Sequence, residues 1–351
     1  MQLQDIFINR KKELEIIPKG LKMGQSYVII APRRYGKTTL IRKIIQQFDD
    51  KTTIYIDIMR HSNSLNELTQ AIIDSCLKNL GIAGQIKQWI NKINLKIDIK
   101  MKIQELELET IIYNLEKNDE FTAFAEALEL PEKLAKKFNK NWVVVFDEIG
   151  ELQNVNTQAI KVLRSVIQLH KKVSYLFAGS QETLMNDIFI SMKGAFYRFG
   201  IIYKLNELDI PDVLEFFKKN LLNIDSSVIS YIIDNFQGHP YYTTNLFYRI
   251  SLVNDKHLDK TLDLGDLKKI IEELIFDESH YLEDQVLKLN KSKDSISVLK
   301  SLIDKDETLY PITRQRKYVI LKSLVRSGYV RKINSQYELT DPLLKFYLVN
   351  E

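Results

Sequence analysis

The chain has 351 residues, enough for two or three domains, and its 45% apolar and 27% charged content is that of an ordinary globular protein. A formal charge of +4 excludes a bulk polyelectrolyte built for nucleic acid, and a single cysteine, Cys76, excludes an intrachain disulfide. No apolar run approaches the ~20 residues of a membrane span, and the start MQLQDIFINRKKEL is mixed and polar, so a cytoplasmic protein without membrane contact is expected.

In chain order, Ser26–Ala31 (SYVIIA) is a short β-rich run. It leads into a loop at Pro32–Gly36 and then a helix whose Leu40, Ile41, Ile44, Ile45 and Phe48 fall at helical spacing. Thr53–Asp57 (TIYID) reads as a second strand ending on a carboxylate, and residues 64–80 as an amphipathic helix containing Cys76 as a buried structural thiol. From Ile93 to Ile103 apolar residues occupy every second position, the period of an extended ribbon inside an insertion over 85–118. A helix over 119–139, interrupted near Pro131, leads to the buried strand Trp142–Phe146 (WVVVF). A helix at 156–171 and strands at Val173–Ala178 and Ile201–Leu205 follow, so the fold class is α/β with a doubly wound, mostly parallel sheet.

Strand signals stop after Asp212, and helices dominate to about Leu289. Helices near 294–304 and 314–327, strands at Tyr329–Ile333 and Gln336–Leu339, and a turn at Asn334–Ser335 give the pattern of a winged helix. Val319, Ile320, Leu321, Leu324 and Val325 form its expected core-facing stripe. Expected domains are therefore 1–208, 209–289 and 290–351.

The chemistry concentrates at two places. APRRYGKTT, spanning Ala31, Pro32, Arg33, Arg34, Tyr35, Gly36, Lys37, Thr38 and Thr39, fits the phosphate-loop pattern except that Ala31 replaces the first glycine. Gly36 would let the backbone wrap phosphate, with amides from Arg34 to Thr38 pointing inward at a helix N-terminus. Lys37 would reach the β- and γ-phosphates, and the Thr38 hydroxyl would serve Mg²⁺. VVVFDE then delivers Asp147 and Glu148 at the carboxyl end of a buried strand, the metal and water-activating carboxylates. No N-K-x-D guanine motif, zinc spacing or G-x-S-x-G signature occurs, so ATP is the expected nucleotide.

Together with F-x-x-R-x-x-E-L at Phe7–Leu14, FAGS at 177–180 and DPLLKFYL at 341–348, these motifs resemble the archaeal ATPase family. That family lies near the AAA+ and STAND groups of P-loop proteins. The resemblance implies a P-loop ATPase domain, a helical lid and a winged helix. It also implies that Arg10 and Glu13 sit beside the base, although Asn9 stands where the family has glycine. Ser180 would sense the γ-phosphate, or simply end a strand. Arg198 would be a charge-stabilising finger, or a solvated loop arginine. Pro240, in GHP, would pack on the base, or mark a helix–helix turn.

From Lys291 onward 12 basic residues face 7 acidic ones, so any nucleic-acid footprint belongs at this end. Arg314, Arg316, Lys317, Lys322, Arg326, Arg331 and Lys332 would offer phosphate contacts to duplex DNA, or a solvated face on a domain that packs against a protein partner. The expected function is a Mg²⁺-dependent ATP hydrolase working as a molecular switch. The alternatives are an ATP-gated DNA-binding regulator and a nucleotide-binding adaptor without turnover, the last opposed by intact Lys37, Thr38, Asp147 and Glu148.

Overall fold

The computed structural model describes residues 6–79, 119–180, 182–221, 224–256, 261–290, 294–304, 310–333 and 336–350. The whole insertion 85–118, with its alternating stretch 93–103, and the expected turn at 334–335 lie outside the described residues. Contacts divide the chain into two units, Arg10–Asn206 and a second made of the segment before Arg10 together with Glu207–Glu351.

In the first unit, β1 (Tyr27–Ile30), β2 (Thr53–Asp57), β3 (Trp142–Asp147), β4 (Val173–Gly179) and β5 (Ile201–Lys204) form one parallel sheet in the order β2-β3-β4-β1-β5. Every residue of β1, β3 and β4 is buried, as near-continuous apolar runs in the middle of a parallel sheet should be. The edge strand β5 leaves Ile201 exposed. Phe146, Tyr175 and Phe177 stack across β3 and β4 with ring centroids 5.8–6.3 Å apart, stiffening the two strands whose ends carry the site.

The longer helices of this unit are α1 (Lys11–Lys22), α2 (Lys37–Ile45), α3 (Leu65–Asn79), α4 (Glu120–Lys137) and α5 (Ala159–Ile167). The first was not expected, because Pro18 and Gly20 interrupt its local signal. Gly20 is there for space, since a Cβ would come within 2.1 Å of the Tyr27 hydroxyl. α4 starts on Asp119, which accepts from the Thr122 amide, and runs unbroken through Pro131 where an interruption was expected. An interior proline costs about 3 kcal/mol, and the buried Phe124, Leu128, Leu130 and Leu134 around it offset that cost. Cys76 is buried in α3, and burial pushes its thiol pKa up.

The second unit carries α6 (Ile210–Asn220), α7 (Ser226–Phe236), α8 (Pro240–Lys256), α9 (Leu264–Asp277), α10 (Ser279–Asn290), α11 (Ser295–Asp304), α12 (Arg314–Arg326) and α13 (Pro342–Asn350). Its β6 (Val330–Ile333) and β7 (Gln336–Leu339) pair antiparallel, with Val330 opposite Leu339. One apolar cluster runs from Phe217, Phe236 and Tyr242 to Leu299, Ile320 and Leu344, so the stretches expected as lid and winged helix share a core. The stripe of α12 is narrower than expected. Ile320, Leu321 and Leu324 are buried, whereas Val319 and Val325 are 62% and 40% exposed because they fall on the flanks of that three-residue contact. Among the described residues no helix is long and apolar enough to cross a membrane.

The GHP segment shows why its glycine is needed. Gly238 has φ +72°, and an added Cβ would sit 2.4 Å from the Leu208 carbonyl oxygen, which belongs to the residue whose own amide donates to the Gly238 carbonyl. Gly238→Ala should destabilise the second unit by about 2 kcal/mol or more, read as a lowered denaturation midpoint.

Candidate active site

The site forms at the carboxyl end of the sheet, where β1 gives way to α2. Ala31 is fully buried and donates its amide to the Gly179 carbonyl at 3.4 Å, tying the loop to the end of β4. Arg34 and Gly36 adopt positive φ (+69° and +74°), the left-handed turns that fold the loop back before the helix begins at Lys37. Pro32 is half-buried, Arg33 exposed, Tyr35 buried, and Thr39 half-buried on the first turn of α2.

Lys37 is almost wholly buried, and its Nζ donates to Glu148 Oε1 at 2.7 Å. The other oxygen, Oε2, accepts from the Ser180 amide at 3.0 Å and the Ser180 hydroxyl at 2.9 Å. Asp147 is 2% exposed. Its Oδ2 accepts from the Thr38 hydroxyl at 3.2 Å and the Tyr55 hydroxyl at 3.0 Å, and its Oδ1 from the Glu148 amide at 3.0 Å. Consecutive residues of a strand point to opposite faces, yet Asp147 and Glu148 both meet the start of α2. The left-handed backbone at Glu148 (φ 53°, ψ 46°), unusual for a residue with a side chain, breaks the alternation.

The two carboxyls are pushed apart electrostatically. Burial raises the Asp147 pKa, and the Lys37 charge with the Tyr55 and Thr38 hydroxyls only partly opposes it. Burial also works on Glu148, but the Lys37 ammonium and the hydrogen bonds from Lys37 and Ser180 outweigh it and hold Glu148 below the ordinary glutamate value.

Of the expected site residues, the structure brings Lys37, Thr38, Asp147, Glu148 and Ser180 into one network. Arg10 is buried, donating to the Asn206 carbonyl at 2.8 Å and the Tyr35 carbonyl at 3.5 Å, with Glu13 at 3.3 Å, so its visible work is to brace the loop from behind. Arg198 is exposed at φ +57°, its guanidinium over the Tyr197 ring, and no hydrogen bond or ion pair joins it to the network among the described residues. Pro240 opens α8 in the second unit. Tyr55 was not foreseen, and only the parallel pairing of β2 with β3, with Tyr55 opposite Val145, puts its hydroxyl on Asp147.

In the C-terminal basic group, Arg331 is not a solvated cation. It pairs with Glu207 and Glu338 and reaches Gln237, while Arg316 pairs with Asp294 at 2.7 Å and Lys332 lies over the Tyr337 ring.

A parallel sheet of this order, with a loop and helix start after β1 and a carboxylate pair after β3, defines a P-loop NTPase. The chain belongs to a family of ATPase domains found predominantly in Archaea, whose model matches residues 7–246. No curated protein sequence matches the chain. Among solved structures it is similar to a Walker-type ATPase of Pyrococcus abyssi, at 16% identity and a TM-score of 0.67, covering 99% of this chain and 100% of that one. It is also similar to the ORC2 protein of Aeropyrum pernix, in ADPNP and ADP complexes (12% identity, TM-score 0.60, 98% and 93% covered). The ORC1 protein of the same organism, in complex with DNA, matches at 12% identity and a TM-score of 0.51, with 99% and 94% covered. At such identities the likeness shows the fold alone.

The Lys37–Glu148 pair gives a sign for stability against pH. Because the Glu148 pKa is depressed in the folded protein, its contribution is present above the unfolded value near 4.5 and lost as pH falls through the folded value. Glu148→Gln should therefore lower the stability of the ligand-free protein at pH 7 by about 2 kcal/mol, because Lys37 is left buried without its anion. The gap to wild type should close below the ordinary glutamate pKa, as measured by denaturant titration at several pH values.

Proposed function

We propose that the chain is a Mg²⁺-dependent ATP hydrolase that serves as a molecular switch. The observation that carries this reading is the joining of Lys37, Glu148 and Ser180 beside Thr38 and Asp147 at the sheet edge. The loop Ala31–Thr39 receives the phosphates on its backbone amides, and Lys37 leaves Glu148 for the β- and γ-phosphate oxygens. Glu148, still held through Oε2 by Ser180, then orients the attacking water and takes its proton. The water oxygen forms the new bond to phosphorus, and the bond to the ADP oxygen breaks. The Thr38 hydroxyl and Asp147 carboxylate are the all-oxygen donor pair that Mg²⁺ favours and would hold it. Its charge would offset the negative charge on the phosphate oxygens. Arg10 braces the loop, and exposed Arg198 is the candidate charge-stabilising finger.

ATP turnover with Mg²⁺ tests the reading. Glu148→Gln should lower turnover by about 100-fold or more. The same substitution should strengthen ADP binding about fivefold, equivalent to about 1 kcal/mol, because Lys37 no longer has an internal anion to leave. Lys37→Ala should lose both binding and turnover. Equal turnover in wild type and Glu148→Gln would remove Glu148 as the base.

A second reading, an ATP-gated regulator that binds duplex DNA, draws on α12. There Arg314, Arg316, Lys322 and Arg326 are exposed beside exposed Tyr318 and Val319. Arg331, held by two carboxylates, is left out of that surface. In this reading duplex affinity falls steeply with salt, and replacing Arg314 and Lys322 by alanine flattens the slope by about two. Salt-independent binding, or none, would eliminate it.

A further inference from the structure

Tyr55 lies on β2, a strand that the phosphate-binding and carboxylate motifs do not include, yet its hydroxyl is 3.0 Å from Asp147 Oδ2. We propose that Tyr55 is a positioning residue, holding the Asp147 carboxylate in its metal-receiving orientation. This rests on the Mg²⁺-nucleotide reading of the site.

Asp147 is almost wholly buried, so its oxygens depend on protein donors for orientation. Oδ1 has the Glu148 amide, while Oδ2 has Thr38 and Tyr55. The Thr38 bond, at 3.2 Å, is the longer of the two on Oδ2, and its hydroxyl can keep donating to Asp147 while a lone pair faces a cation. Tyr55 makes the shorter side-chain bond to Oδ2, and its hydroxyl has no cation to serve. Its backbone is fixed in the β2–β3 ladder, with Tyr55 opposite Val145 and Asp57 opposite Asp147, so the hydroxyl approaches Asp147 along the diagonal to the next residue on the same face. A phenol has few torsions to disorder, and phenylalanine would fill the same space. The hydroxyl is therefore the part that packing alone does not explain. Donors around a ligating carboxylate tune metal affinity without touching the metal.

The test uses Tyr55→Phe in the full chain, with Mn²⁺ as a spin probe and ADP as the nucleotide. Mn²⁺ affinity of the ADP-loaded protein should fall about tenfold, and the Mg²⁺ concentration for half-maximal ATP turnover should rise by about the same factor. Metal-free ADP affinity and turnover at saturating Mg²⁺ should stay within about twofold of wild type, which a loss of folding would not allow. Unchanged Mn²⁺ affinity, or metal-free ADP affinity falling in parallel, would overturn the role of Tyr55 alone. Absence of metal-dependent ADP binding in the wild type would overturn this inference together with the reading beneath it.

Discussion

Lys37 and Glu148 are 111 residues apart in sequence and 2.7 Å apart in space, and much of the first unit is arranged around that meeting. The sheet order places β4 between β1 and β3, so the loop after β1 faces the end of β3 across a single strand, and the intervening β4 supplies Ser180. Each of the three strand ends therefore contributes one part: a cation from β1, an acid pair from β3 and a hydroxyl from β4. The ladder beyond β3 adds a fourth part in Tyr55. A helix start alone would give a weak anion site. The crossing order of a parallel sheet converts it into one with matched charges.

Every charge at the centre of the resting network has an opposite charge or a donor, which is how a buried Lys37, a buried Asp147 and a half-buried Glu148 coexist in a folded chain. The same arrangement means that a polyanion must compete with Glu148 for Lys37, so binding and release of the acid are linked events. The left-handed turn at Glu148 is strain held at the point where the two carboxylates are turned to the same side.

Much of this was legible in the sequence because it depends on short spacing. The loop 31–39 and the run VVVFDE are contiguous, and their flanking strands are apolar enough to be read directly. What escaped depends on pairing and packing. Tyr55 acquires its partner only through the β2–β3 register, and Ser180, though named from its motif, shows its bond to Glu148 only once β4 is placed beside β3. Helix α1 and the unbroken α4 carry prolines whose local cost is offset by burial that no window of sequence displays. The basic C-terminal group looked uniform in sequence, but Arg331 has acidic neighbours from a preceding segment and from β7, far from it along the chain or across the hairpin.

The single cysteine has a practical bearing on how such a molecule can be followed in solution. Cys76 is enclosed in α3 with its thiolate disfavoured, so maleimides and disulfide reagents have neither access nor a reactive form to attack. The native chain is therefore already a silent background for thiol chemistry. A reporter cysteine introduced at an exposed position such as Met23 or Leu287 would be labelled selectively, without first removing a residue from the core.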